Sequence, residues 1–257
     1  MLIVLSPAKR LDFSPPPVKV EATEPPLGRD VEELAKATRK LTRADLRRLM
    51  SISEKLADLN HARFQAFDPA PGDDALPAAL AFAGDVYAGL DARSLSEDDL
   101  AFAQDTVRIL SGLYGVLRPL DAIRPYRLEM GTRLRTRRGA TLYDFWGDRI
   151  ARHLNEAAEP HGDAVLINLA SHEYFGAVDA AALKLKVITP HFKEVRDGET
   201  RFVSFHAKKA RGLMTRYAIE NRITRAQDLK GFDREGYRFV AEQSDAHEWL
   251  FVREYQG

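Results

Sequence analysis

Four stretches of this chain carry residues whose types and spacing suit the binding of an anion. The first is "SPAKRLDF", where Lys9 and Arg10 follow the uncharged run "LIVLS" and Asp12 comes close behind. Open α/β sheets collect ligands beyond the carboxyl ends of their strands, so an ammonium at a strand exit is placed for an anion, with Asp12 to orient it. The second is "NLASHEYF", which leaves another apolar run and offers Asn168, Ser171 and Glu173 to the same sheet edge. The third, "SFHAKKARG", sets Lys208, Lys209 and Arg211 around the start of a helix, favouring an anion both by the helix dipole and by charge. In the fourth, "LSGLYGVLRPLDAIRPYRLEMGTRLRTRR", Gly112 and Gly115 frame Tyr114, and backbone amides beside glycines can approach a phosphate closely. Pro119 and Pro125 stiffen this stretch and hold Arg118, Arg124 and Arg127, while Tyr114 and Tyr126 either stack on bases or pack inward. Each stretch also has a plainer reading as a strand exit, a capped turn or a solvated charged face.

Several chemistries fail on spacing. Ser6 to Lys9 spells S-x-x-K, but the serine-acylase pattern needs its Ser at a helix start and a K-T-G partner, and neither is evident. His172-Glu173 opens like H-E-x-x-H, yet position 176 is Gly176. The seven histidines show no metal-ligand spacing and the chain has no cysteine, so no metal or cofactor is expected. The absence of cysteine fits a reducing compartment, and "MLIVLSPAKR" has too short an apolar run for a signal peptide or a membrane span, so a cytoplasmic protein is expected.

Bulk charge names no partner, with 38 basic and 38 acidic residues in 257. Distribution says more. From Leu117 to Arg138 seven arginines face only Asp121 and Glu129, a net +5, and from Ser204 to Ile219 Lys208, Lys209, Arg211 and Arg216 meet no acid. Acid collects elsewhere, as in "DARSLSEDDLAFAQD". Two basic runs in one domain suggest a shared basic surface.

The elements that must position these residues alternate between strand and helix. "LIVLS", "AVLINLA", "LKVIT", "VRILS" and "ALAFAG" read as strands, and "FSPPPVKVEATEPP", with five prolines in fourteen residues, as an irregular surface connection. Helices are expected over "RDVEELAKATRKL", from Thr42 with Leu46, Leu49 and Met50 inward, from Ser53 to Phe67 with Leu56, Leu59 and Phe64 inward, and after the cap Ser96. "TLYDFWGDRIARHLNEAAE" reads as one helix with a Thr141–Asp144 capping box, and "AKKARGLMTRYAIENR" as another. Asp197-Gly198 marks a hairpin, and "YRFVAEQSDAHEWLFVRE" a second. With no repeat and no low-complexity block, the pattern implies one compact domain, residues 1–257, of mixed α/β class: a mixed sheet flanked by helices.

"LRRLMSISEKLADLN", Leu46 to Asn60, joins two helices through a Ser51-Ile52-Ser53 corner. It resembles the helix-hairpin-helix module of DNA-repair proteins, with serine where that hairpin has glycine. In the module, backbone N–H groups and a helix N-terminus grip phosphates without reading bases, and here Arg47, Arg48 and Lys55 flank the corner. Beyond this module, "SPAKRLDF", "LMSISEKLADLN", "GDVYAGL", "LSGLYGVLRPLD", "PYRLEMG", "LYDFWGD", "NLASHEYF" and "HAKKARGLMTRY" occur in that order along nearly the whole chain. Together they resemble the YaaA family of peroxide-stress-resistance proteins. The resemblance implies a family-specific mixed α/β fold, a positively charged cleft, a helix-hairpin-helix element, duplex DNA binding and a role in limiting damage where peroxide meets free iron. The rival expectation is an enzyme that acts on a phosphorylated or nucleobase-like small molecule in the same cleft, drawing on Lys9, Asp12, Asn168, Ser171, Glu173 and Lys208.

Overall fold

A computed structural model describes residues 1–16, 20–70, 72 and 74–255. Its first half runs β1 (Leu2–Leu5), β2 (Arg10–Leu11), α1 (Gly28–Thr38), α2 (Arg43–Met50), α3 (Glu54–Ala66), β3 (Leu76–Pro77), α4 (Ala78–Ala81), β4 (Phe82–Ala83), α5 (Asp85–Leu90) and α6 (Glu97–Thr106). Next come β5 (Val107–Ser111), β6 (Gly115–Leu117), β7 (Ala122–Ile123), α7 (Leu142–Trp146), α8 (Arg149–Ala158), β8 (Val165–Leu169) and α9 (His172–Phe175). The chain closes with β9 (Lys186–Arg196), β10 (Glu199–Arg201), α10 (Ser204–Glu220), β11 (Arg238–Phe239) and β12 (Glu248–Glu254).

One mixed eight-stranded sheet organises the chain in the order β11-β12-β9-β8-β1-β5-β6, with β10 on β9. Strands β12, β9, β8, β1 and β5 are mutually parallel; β6, β10 and β11 are antiparallel additions. Central parallel strands are covered on both faces and so read as unbroken apolar runs rather than alternations. β1 obeys this: Leu2, Ile3, Val4 and Leu5 are all buried, in register with Val107–Ile109 on one side and Leu166–Leu169 on the other. After β1 the chain moves to β5 on one flank and later to β8 on the other. The carboxyl end of β1 is therefore the switch point at which such sheets open a crevice.

Local chemistry set several helix boundaries. Thr42 and Ser96 each accept a hydrogen bond from the amide three residues on, and Asp45 and Asp99 return it to the cap. Asp197 and Gly198 both take positive φ, 53° and 78°, as a two-residue turn between β9 and β10 requires. β11 and β12 form the second expected antiparallel pair.

Three expectations need correction. "ALAFAG" is not a strand: Ala78–Ala81 make one helical turn before the two-residue β4. "TLYDFWGDRIARHLNEAAE" is two helices, because Gly147 takes φ 49° and ends α7, although the Thr141–Asp144 capping box forms as expected. Leu59 is 44% exposed, since α3 buries Ala57, Asn60 and Phe64 instead. The proline-rich connection lies partly outside the described residues, at 17–19. Among the described residues no helix is long and apolar enough to cross a membrane.

Candidate functional site

At the switch point the ends of β1 and β8 are sewn together. The Ser171 amide donates to Ser6 Oγ at 2.8 Å, Ser6 Oγ lies 3.3 Å from Ser171 Oγ, and the buried Tyr87 hydroxyl donates to the Ser6 carbonyl at 3.0 Å. Asn168 turns inward and accepts from the Ala170 amide at 3.1 Å. The segment 124–131 then lies against these strand ends. Glu129 takes Lys9 Nζ at 2.6 Å and Arg127 at 3.1 Å, and Glu173 accepts from the Gly131 amide at 2.9 Å. Burial raises the Tyr87, Tyr126 and Tyr174 hydroxyls above their ordinary value, so all three stay protonated. Lys9, Arg127, Ser171 and Glu173 do converge, but on a strap of the chain itself. Asp12 does not join them: it accepts from the Ser14 amide at 2.9 Å, which lowers its pKa, and lies 3.7 Å from Arg93. Arg10 is exposed on β2.

The Gly112–Gly115 expectation is overturned by packing. Residues 112–114 turn β5 into β6, with Ser111 opposite Gly115, and Gly112, Tyr114 and Gly115 are all buried. A Cβ on Gly112 would stand 2.2 Å from the Leu128 carbonyl oxygen, and Gly115 takes φ 72° under the Trp146 ring. These glycines admit the chain's own backbone and an indole, so no phosphate reaches them. Tyr114 packs edge-on to Phe67 and Tyr126 and accepts from the Arg124 amide. The arginines beyond it are answered too: Arg118 by buried Asp121 at 2.9 Å, Arg124 by Asp74 at 3.3 Å and Arg127 by Glu129.

Lys208 and Lys209 of α10 behave likewise, whereas Arg211 has no carboxylate within ion-pair distance among the described residues. Lys209 lies 2.5 Å from Glu235, whose other oxygen takes Arg253; Arg253 also reaches Glu194 at 2.6 Å, and His206 meets Glu194 at 2.9 Å. Burial opposes charge on Glu194, but His206 nearby and the Arg253 hydrogen bond outweigh it and hold the carboxyl below its ordinary range. Lys208 lies 3.9 Å from Asp85. Arg211 is half-buried, and burial lowers its guanidinium from the ordinary value. The acid-free look of this run in sequence was deceptive, because its acids come from elsewhere in the chain.

The corner is different. Helices α2 and α3 meet at Ser51, which takes φ 51° and ψ 48°, and Ser53 caps α3 through the Leu56 amide. Ser51 and Ser53 are exposed, Ile52 packs on the core, and Arg47 and Lys55 stand in solvent with no carboxylate partner among the described residues. Their neighbours Arg43 and Arg48 are paired with Asp58 and Asp45. Over Gly28–Ala66, once the ion pairs among the described residues are made, Arg29, Lys36, Arg39, Lys40, Arg47, Lys55 and Arg63 remain, against Glu32 and Glu54. Four of these, Arg29, Lys36, Arg39 and Lys40, do not stand out in the sequence because Asp30, Glu32 and Glu33 sit among them. A signal was there in Arg29 and Lys36, whose spacing puts them on one face of α1, with Lys40 just past its end.

Comparison with known proteins identifies the relatives of the chain. The family described as peroxide stress protein YaaA matches residues 1–243. A UPF0246 protein of Phenylobacterium zucineum is 63% identical over 253 residues, covering 98% of this chain and 95% of that one. A UPF0246 protein of Caulobacter vibrioides is 61% identical, over 98% and 99% of the two chains, and one of Ruegeria pomeroyi 55% identical over the full length of both. With near-complete coverage at such identity, the chain belongs to the YaaA (UPF0246) family of peroxide stress proteins.

Proposed function

We propose that this chain grips the phosphate backbone of duplex or structured DNA without sequence preference, and so shields it where peroxide and iron would damage it. The observation that carries the reading is the surplus of cations on α1–α3, seven against two acids after internal pairing. A cation already held by a carboxylate adds little to the field an incoming phosphate feels, whereas an unanswered one can replace a condensed counterion. Within that face the Ser51–Ser53 corner joins α2 to α3 through a left-handed Ser51. It exposes the N-terminus of the 13-residue helix α3, with Lys55 in its first turn and Arg47 across the corner. Such contacts position a duplex and carry no base readout.

The test is fluorescence anisotropy of a labelled random-sequence duplex titrated with the protein as salt is raised. Backbone binding predicts log K falling linearly with log salt, with a slope near about −0.9 for each phosphate neutralised, and equal affinity for a second unrelated sequence. Absence of binding at about 50 mM salt sinks the reading.

A further inference from the structure

Arg138 is the place to begin, because it looks like the end of a basic tail and is not one. Its guanidinium reaches Asp30 at 2.5 Å and also Glu33, both on α1, and lies 4.5 Å over the Phe145 ring. Arg149 approaches Asp30 from the other side at 3.3 Å. The tight turn that brings Arg138 there is closed by the Thr136 amide donating to the Gly139 carbonyl at 2.9 Å. This has two consequences. Two of the three acids of α1 that would offset its cations are consumed, leaving Glu32, and the segment Leu134–Thr136 is stapled alongside the helix.

Between them runs an open groove of about 720 Å³, lined by Arg29, Glu33, Lys36 and Lys40 on one wall and Arg135 and Arg137 on the other. All five cations are exposed and none has a carboxylate partner within ion-pair distance among the described residues, while Glu33, the one acid of the lining, belongs to Arg138. Arg135 and Arg137 stand on either side of half-buried Thr136, Arg137 in the turn that the Thr136–Gly139 bridge closes. Arg29 and Lys36 on one face of α1, and Lys40 just past its end, make the opposing wall. Two facing rows of uncompensated charge make a linear positive trough, and its complement is a linear polyanion.

We infer that this trough is a phosphodiester-backbone track, separate from the Ser51–Ser53 corner, and that Arg138 is its positioning residue. The inference rests on the DNA-binding reading above and goes further by naming where a strand lies. Helix α2, eight residues and about 12 Å long, separates the Lys40 end of the trough from the corner. Phosphates held in one place are therefore not those held in the other, and the two contributions should add.

The experiment measures duplex binding against salt for the wild type and four variants of the full chain. Arg29→Gln/Lys36→Gln/Lys40→Gln removes one wall, Arg135→Gln/Arg137→Gln the other, Arg47→Gln/Lys55→Gln the corner, and Arg135→Lys/Arg137→Lys keeps the charge. The expected result is a salt slope reduced by about two to three for the first wall and about two for the second, with affinity near 100 mM salt at least ~10-fold weaker in each. The lysine-for-arginine variant should bind within about threefold of wild type, and all four should melt within a few degrees of it. If both wall variants bind like the wild type while the corner variant loses affinity, the trough is overturned and the DNA reading stands. If the wild type itself does not bind, both fall.

Discussion

At the carboxyl ends of β1 and β8, Lys9 sits 2.6 Å from Glu129 and Arg127 3.1 Å from the same carboxylate; along α1 and just past its end, Arg29, Lys36 and Lys40 face solvent with no such neighbour among the described residues. The two regions are comparable in basic residues but opposite in what those residues are free to do. An exposed ion pair contributes only about 0–1 kcal/mol to stability, yet it removes a charge from the field outside the protein. A phosphate arriving at Lys9 would have to displace Glu129, whereas one arriving at Lys36 displaces only water and counterions. The strand ends, where ligands of open sheets are ordinarily sought, are here taken up by the chain's own strap. The surplus charge lies on helices outside the sheet.

Substitution inside the strap region should produce the largest effect and bears directly on this contrast. Gly112→Ala would drive a Cβ to 2.2 Å from the Leu128 carbonyl, where neither backbone can give way cheaply. We expect destabilisation of about 3 kcal/mol and a melting temperature lower by roughly 6–12 °C, as overpacking of a rigid contact implies. DNA affinity per folded molecule should not change. A variant that melts normally but loses DNA would restore the phosphate-loop reading of Gly112 and break the comparison.

Arg138→Ala comes next. It strips two charge-assisted hydrogen bonds and a cation–π contact, leaving Glu33 unanswered and Asp30 with Arg149 alone. A loss of about 2 kcal/mol in denaturant unfolding is expected. Binding should weaken beyond the effect of one lost charge, because Glu33 then turns toward the trough and the second wall is no longer stapled. Full affinity in this variant would show that the trough does not depend on its staple.

The smallest effect sharpens the other side. Lys208→Gln/Lys209→Gln removes two lysines that the sequence alone would rank among the strongest contacts, but Asp85 and Glu235 already hold them. Duplex affinity should stay within about twofold and the salt slope within about half a unit of wild type. A drop of two units would return the α10 start to the interface.

Much of the fold was legible from local pattern. The uncharged "LIVLS" announces a strand buried on both faces, Thr42–Asp45 and Ser96–Asp99 announce their capping boxes, and Asp197-Gly198 its turn, because each depends on residues a few positions apart. The corner at Ser51–Ser53 was visible for the same reason, serine taking a left-handed turn that glycine would take more cheaply. The glycines of "SGLYG" misled because the sequence shows that a close approach happens there without showing what approaches. The answer, Leu128 and Trp146, lies 16 and 31 positions away from the glycines they meet. Family membership, too, was written in ordered motifs along the chain.

Which charges remain available was decided only by the tertiary structure. Arg138 finds Asp30 across 108 positions, Arg253 finds Glu194 across 59, and Lys209 finds Glu235 across 26. Helix caps and turns act within a few residues along the backbone, so sequence determines them. An ion pair depends on distance in space, which the sheet order and the packing of α1 against the 134–138 segment set, and composition alone cannot say which cations the fold leaves over.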